Sequence, residues 1–203
     1  MQIIEPSAEL FYDFDGAEYL RLIERAGRIC YKSEKNITAD SAEKFVRMLI
    51  RRGHESVLEH CSVSFKIICD RGVMAELTRH RLASFSVEST RYVKYDDLEF
   101  IKPVEGQSGD WDAAAEWLSA MKVAERAYSH MLKDNPPEIA RSVLPLSLKT
   151  EMIMTANLRE WRHILKLRTS SKAHPQMRQV AGMILAILKE KLPVVFEDIG
   201  NAD

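Results

Sequence analysis

Arg79-His80-Arg81-Leu82-Ala83-Ser84-Phe85-Ser86-Val87-Glu88-Ser89-Thr90-Arg91-Tyr92 packs three arginines, a histidine, four aliphatic hydroxyls and two aromatic rings into fourteen positions without a Gly or Pro. Arginine presents a rigid fork of donors that matches phosphate or carboxylate bidentately, and its plane stacks on aromatic rings. The hydroxyls add short donors for a phosphate or a base edge. The mixture suits a nucleotide-like anion, although a solvated basic face would carry the same charges. The stretch has no clean period, so it reads as a helix end followed by a loop.

Upstream, Val73–Leu77 reads as a short helix leading into the motif, and Asp70-Arg71-Gly72 as a turn. Residues 61–69 alternate with period two, placing Val63, Phe65, Ile67 and Cys69 on one face of a strand. Asp40-Ser41-Ala42-Glu43 has the form of a capping box opening a helix that carries Phe45, Met48 and Leu49 and stops at Gly53. His54 then lies just beyond a helix end, where loops carry function. A first helix spans 17–29, with Leu20, Ile23 and Ile29 at helical spacing.

Downstream, Phe100 to Gly109 is polar and Pro/Gly-bearing, a connection. Asp110 caps a long helix over about 110–133, with Ala114, Trp117, Leu118, Met121, Ala124, Tyr128 and Leu132 on its apolar side. Asn135-Pro136-Pro137 ends it, and a helical turn carries Arg141. Residues 148–155 read as a second strand. Asn157 and Glu160 form another capping box, opening a helix through Arg168. Pro175 starts a last helix to about Lys191. The expected class is α+β: a single compact domain over 1–203, with a small β-sheet packed with several α-helices.

With 203 residues, 46% hydrophobic and 29% charged, the chain has the balance of one soluble domain. Its net charge of -1 supplies no global field for a polyanion, so a cationic site must be local and nucleic acid is not expected as a partner. No apolar run reaches membrane-spanning length and the N-terminus lacks a signal-peptide pattern, so the expected setting is cytoplasmic, away from membranes. Cys30, Cys61 and Cys69 form no CxxC pair and suggest neither a disulfide framework nor a zinc site. His54 and His60 are six apart, which separates them by about 240° on a helix, so no metal is expected there.

The order of residues adds more than their composition. Arg79-His80-Arg81, seven residues, Ser89, then Arg91-Tyr92 resembles the signature of the flavin-dependent thymidylate synthases. The resemblance runs from about Ile23 to Phe196. It takes in Arg52-Gly53-His54-Glu55-Ser56, Ala140-Arg141-Ser142-Val143-Leu144-Pro145, Asn157-Leu158-Arg159, His163 and Leu167-Arg168.

What the resemblance implies is an enzyme making dTMP from dUMP. The carbon donor would be 5,10-methylenetetrahydrofolate, the cofactor FAD and the reductant NADPH, in a homotetramer with shared active sites. It assigns His54, Ser56, Arg79, His80, Arg81, Val87, Asn157, Arg159 and His163 to the flavin. It gives Glu76, Arg79, Val87, Glu88, Ser89, Arg91, Arg141 and Arg168 to the nucleotide, with Arg168 catalytic. A cation at the pyrimidine edge would favour the ring anion and raise the nucleophilicity of carbon 5. No Gly-x-Gly-x-x-Gly is present, so side-chain cations would replace a Rossmann cradle.

Val87 departs from the family pattern, which has Gln or Glu there; the acid stands one position later, at Glu88. That departure motivates an alternative: a flavin- or nucleotide-binding protein of the same fold without catalysis. A Cys nucleophile would need a thiolate in a cationic pocket, whereas Cys61 and Cys69 fall on an apolar strand face and Cys30 follows a helix.

Overall fold

Strand β3, Ser62–Asp70, buries Val63, Phe65, Ile67 and Cys69 completely, as the alternation of residues 61–69 requires. The computed structural model describes residues 1–104 and 112–200. Its elements in order are β1 Gln2–Ile4, β2 Ser7–Leu10, α1 Gly16–Ile29, α2 Ser41–Arg51, β3, α3 Arg71–Leu77, β4 Ala83–Val87, β5 Glu99–Ile101, α4 Asp112–Met131, α5 Pro137–Ala140, β6 Lys149–Asn157, α6 Leu158–Arg168, α7 Pro175–Lys191 and α8 Pro193–Phe196. Two sheets form: β1 pairs in parallel with β5, Ile3 opposite Phe100, and a four-stranded sheet has the order β2-β3-β6-β4. The class is α+β. No helix among the described residues is long and apolar enough to cross a membrane.

The chain divides into two compact units. The first comprises Met1–Ser7, Ile67–Arg79 and Ser86–Met152; the second comprises Ala8–Lys66, His80–Phe85 and Ile153–Asp203. In the first unit, Leu98, Phe100, Met121, Tyr128, Ala140 and Leu148 make the core, flanked by Trp117 and Leu132 from the α4 segment. Asp110 and Gly109, expected at the start of α4 and in its preceding connection, lie outside the described residues, as does the side chain of Ala114.

In the second unit α1 packs on α2, α6 on α7, and α8 on both α2 and α7. Trp161 of α6 is wholly buried, donates its indole N–H to the Val63 carbonyl at 2.9 Å, and meets Phe65 edge-on. Arg162, 1% exposed, donates both terminal nitrogens to Asp198 at 2.7 Å, reaches Glu55 at 3.1 Å, and bonds the Val195 carbonyl. The burial of Arg162 opposes its charge, and the carboxylates of Asp198 and Glu55 more than offset that, so its pKa is raised. These bonds tie the Glu55–His60 3-10 turn, which follows His54, to α6 and the C-terminal residues.

Several expectations change. The motif is not a loop throughout: Ala83, Phe85 and Val87 alternate with exposed Ser84 and Ser86 as strand β4, a period hidden by its polar chemistry, and residues 88–92 then turn away from regular structure. Asp70 does not turn the chain but caps α3, accepting from the Val73 amide at 2.8 Å, so that helix starts at Arg71. The Asp40 capping box does not form. Asp40 makes no side-chain cap; beside it the Ser41 hydroxyl donates to buried Glu24 at 2.8 Å, and Glu43 pairs with Arg47. Asn157 does cap α6, accepting from the Glu160 amide at 2.9 Å. Ile29 is 58% exposed rather than on the buried face of α1, and the last helix is α8, not α7. Three short strands, β1, β2 and β5, are too brief to show a period.

Two stability outcomes follow from these contacts. Gly27→Ala should gain helix propensity of about 1 kcal/mol but place a Cβ 2.7 Å from the Phe45 ring. Overpacking of this kind costs about 1–3 kcal/mol, so the expected thermal midpoint falls rather than rises. Asp198→Asn should lower stability at neutral pH by about 1 kcal/mol, small because Asp198 is partly exposed and solvent screens it. The hydrogen bond from Arg162 holds the Asp198 carboxyl below its ordinary 3.8. Its stabilising contribution is therefore full above that value and is lost as pH falls through the lower folded pKa. Unfolding curves of the two proteins should converge in acid; a gap that persists there would contradict the assignment.

Candidate functional site

The candidate residues fall into two groups, one in each unit. In the first unit the chain leaves β4 at Val87 and turns, with the Tyr92 and Val93 amides donating to the Ser89 carbonyl. The Ser89 hydroxyl accepts from the Arg91 amide at 3.3 Å. Arg141, in a 3-10 turn directly after α5, donates to the Thr90 hydroxyl at 3.2 Å. Ser89, Arg91 and Arg141 are thereby gathered at one turn although Arg141 is distant in sequence. Arg91 also pairs with Glu138 at 3.0 Å and lies over the Tyr92 ring. Glu138 was not singled out in the sequence; its place one helical turn before Arg141 is the signal that could have found it.

Val87 shares the half-buried face of β4 with Ala83 and Phe85, where a β-branched side chain suits a strand. Glu88 is committed nearby: its carboxylate takes the Tyr95 hydroxyl in a short hydrogen bond and Lys149 at 3.2 Å. Burial depresses the Lys149 pKa, but Glu88, Glu99 and Glu151 around it win, and the net shift is upward. Arg71 donates to the Glu88 carbonyl at 3.1 Å. Burial, then the Glu88 bond, pushes the Tyr95 hydroxyl well above its ordinary range. Glu76 lies near the end of α3, and Arg79 follows it, exposed.

In the second unit, His54 and Ser56 line a cavity of about 330 Å³ with Cys30, Tyr31, Leu49 and Arg159. Asn157, Arg159, Glu160 and His163 line another of about 480 Å³ with Glu59 and Leu82. Arg159 lines both. It pairs with Glu59 at 2.5 Å, so Glu59, read from sequence as structural, holds a candidate cation. Arg81 is exposed just before β4, while His80 is 6% exposed. Arg168, at the end of α6, donates from Nε to His80 Nε2 at 3.1 Å, and the His80 and His163 rings meet edge-on at 6.0 Å. His80, Glu160 and His163 bring ligand-type atoms within 4.8 Å of one another; the His54/His60 pair is not part of that cluster.

The cysteines offer no activated thiol among the buried positions. Burial pushes Cys61 up to about 11 and Cys69 up to about 12, far from the depressed values a nucleophilic thiolate needs. Cys30 is exposed rather than packed like a small hydrophobe.

Comparison with known proteins identifies the family. Residues 15–194 match the family described as thymidylate synthase complementing protein. A probable flavin-dependent thymidylate synthase of Mycobacterium phage L5 is 35% identical, the alignment covering 93% of this chain and 83% of that protein. The flavin-dependent thymidylate synthase of Mycolicibacterium gilvum is 35% identical over 95% of this chain and 84% of its own length. Among solved structures, the UMP/dUMP methylase PolB from Streptomyces cacaoi, bound with 5-Br dUMP, superposes with a TM-score of 0.83 at 26% identity, covering 97% of this chain and 96% of that one. With the matched region spanning nearly all of the described fold, the chain belongs to the flavin-dependent thymidylate synthase family.

Proposed function

We propose that this protein is a working thymidylate synthase that transfers the one-carbon unit of 5,10-methylenetetrahydrofolate to carbon 5 of dUMP, with FAD as cofactor and NADPH as reductant. The observation that carries the reading is the sorting of the motif residues. Hydroxyl and guanidinium donors gather at Ser89, Arg91 and Arg141, while His54, Ser56, Asn157, Arg159 and His163 line two cavities that share Arg159. The 5-Br dUMP bound to the Streptomyces cacaoi enzyme supports dUMP as the nucleotide.

The residues fit FAD by their chemistry. Arg159 offers a cation for a pyrophosphate, His54, Ser56, Asn157 and His163 offer hydrogen-bonding groups, and Tyr31, Leu49 and Leu82 offer apolar walls. Arg79, His80 and Arg81 join this set through the family motif. When bound, FAD supplies a hydride to the transferred one-carbon unit after reduction by NADPH.

The chain's own part is binding and charge. Ser89, Arg91 and Arg141 clamp the dUMP phosphate, with Glu76, Glu88, Arg79 and the backbone at Val87 completing the nucleotide set. Holding the pyrimidine in place lowers the barrier through effective molarity, by about 7 kcal/mol in favourable cases. Arg168 stabilises negative charge on the pyrimidine ring, which raises the reactivity of carbon 5 without a thiol adduct. The raised pKa of Cys61 and Cys69 supports that route. The enzyme works in the cytoplasm as a homotetramer with shared active sites.

The test is an anaerobic visible spectrum of the protein supplied with FAD. NADPH should bleach the flavin, and colour should return only when dUMP and 5,10-methylenetetrahydrofolate are both added, with dTMP formed. UMP in place of dUMP measures nucleotide choice. Absence of flavin binding would refute the reading, and bound flavin without turnover would point to a binding protein. Arg168→Ala is expected to keep the bleaching step and slow the return of colour by about 10²-fold or more, the scale for removing a group that stabilises developing charge; equal loss of both steps would contradict its assigned role.

A further inference from the structure

His80 sits between two groups that choose the same protonation pattern for it from opposite sides. On one side Arg168 Nε donates to His80 Nε2 at 3.1 Å. An arginine is permanently charged and can only donate, so Nε2 must present its lone pair. On the other side a Glu160 oxygen faces His80 Nδ1 at 3.7 Å, longer than a direct hydrogen bond but close enough for its charge to favour a proton there. His80 is 6% exposed and Glu160 8%, so water competes weakly with either contact. Glu160 is itself fixed in place, its amide bonded to the Asn157 cap at the start of α6.

We propose that Glu160 is a positioning residue: it holds the proton of His80 on Nδ1, so that Nε2 accepts from Arg168 and sets the plane of the Arg168 guanidinium. The inference rests on the role proposed above for Arg168. A proton on Nε2 would turn donor against donor and release the guanidinium from that plane. The order is Glu160, His80, Arg168, with His163 edge-on to His80. All four belong to the second unit.

The same His80, Glu160 and His163 have the spacing of a metal cluster. A metal on His80 Nε2 would have to displace the Arg168 N–H and settle beside a permanent cation. The arrangement therefore serves a hydrogen-bond relay better than a cation.

The experiment uses the full-length FAD-loaded protein, its Glu160→Ala and Glu160→Gln variants, and histidine labelled with nitrogen-15, the His80 signals being assigned by their loss in His80→Asn. Wild type should show His80 protonated on Nδ1 alone. Glu160→Ala should lose that single pattern and lower kcat by about ten- to a hundredfold, the range for losing the hydrogen bond from charged Arg168, while bleaching of the flavin by NADPH slows less than kcat falls and the KM for dUMP moves less than kcat. Glu160→Gln, which removes the charge while keeping the side chain's size, should also lose the single pattern and lower kcat on the same scale; a Gln variant that keeps both would show that the charge is not what holds the proton. An unchanged His80 pattern in Glu160→Ala would overturn the inference, as would equal slowing of both flavin steps. Should the alanine variant not fold, Glu160→Gln and the wild-type pattern decide: a wild-type His80 protonated on Nε2 refutes the relay. If wild type itself makes no dTMP, the proposed function fails, and the nitrogen-15 spectra still judge whether Glu160 governs His80.

Discussion

A buried guanidinium governs the second unit. Arg162 is almost wholly removed from water, and an unpaired charge there would cost several kcal/mol. The bidentate contact with Asp198, the contact with Glu55 and the Val195 carbonyl meet that demand together. They also fix the rotation of α6. Trp161, the neighbouring residue, locks the same helix to β3 through the Val63 carbonyl. With two consecutive side chains committed to the interior, the helix period leaves Arg159 and His163 to the cavity side and carries Glu160 to His80.

The first unit solves a different electrostatic problem. A chain with net charge of -1 has to concentrate cations locally, and concentrated cations repel one another. Carboxylates interleave with them: Glu138 with Arg91, and Glu88, Glu99 and Glu151 with Lys149. Arg141 is held by a neutral hydroxyl instead, that of Thr90. An anion bound at Ser89, Arg91 and Arg141, as proposed, would meet donors already oriented by such contacts, so less side-chain entropy would be lost on binding. Arg91 lies over Tyr92, a further restraint on its rotamers.

Legibility in the sequence followed the strength of local signals. Strand β3 and helix α6 were readable because long regular periods and an Asn cap leave few alternatives. Strand β4 was not, because Ser84 and Ser86 sit among arginines and the ligand chemistry concealed the alternation. The Asp40 box did not form: Glu43 pairs with Arg47 one turn on, and the neighbouring Ser41 hydroxyl goes to Glu24, buried in α1. The candidate site residues were readable only as an ordered motif. Nothing local in Glu59 or Glu138 announces a partner, since each meets an arginine that the fold, or a neighbouring turn, brings to it. The relay from Glu160 to His80 spans eighty residues of chain and is visible only in three dimensions.

The burial of two of the three sulfurs bears on the chemistry. A thiol becomes a nucleophile when a cation or helix terminus stabilises its thiolate, and it becomes inert when apolar burial penalises that charge. The ends of β3 place Cys61 and Cys69 in the second situation, with desolvation as the leading cause in both. The candidate cations stand elsewhere, on the β4 motif, at Arg141 and along α6. Activating a pyrimidine by thiolate addition at Cys61 or Cys69 would require a buried thiol to ionise against its surroundings. Stabilising a ring anion with a fixed guanidinium requires only that the guanidinium be held still, and His80 Nε2 holds Arg168 Nε in that way. On the proposed reading the preorganisation lies in charge rather than in a nucleophile, and catalysis of this kind depends on how rigidly that charge is oriented before the substrate arrives.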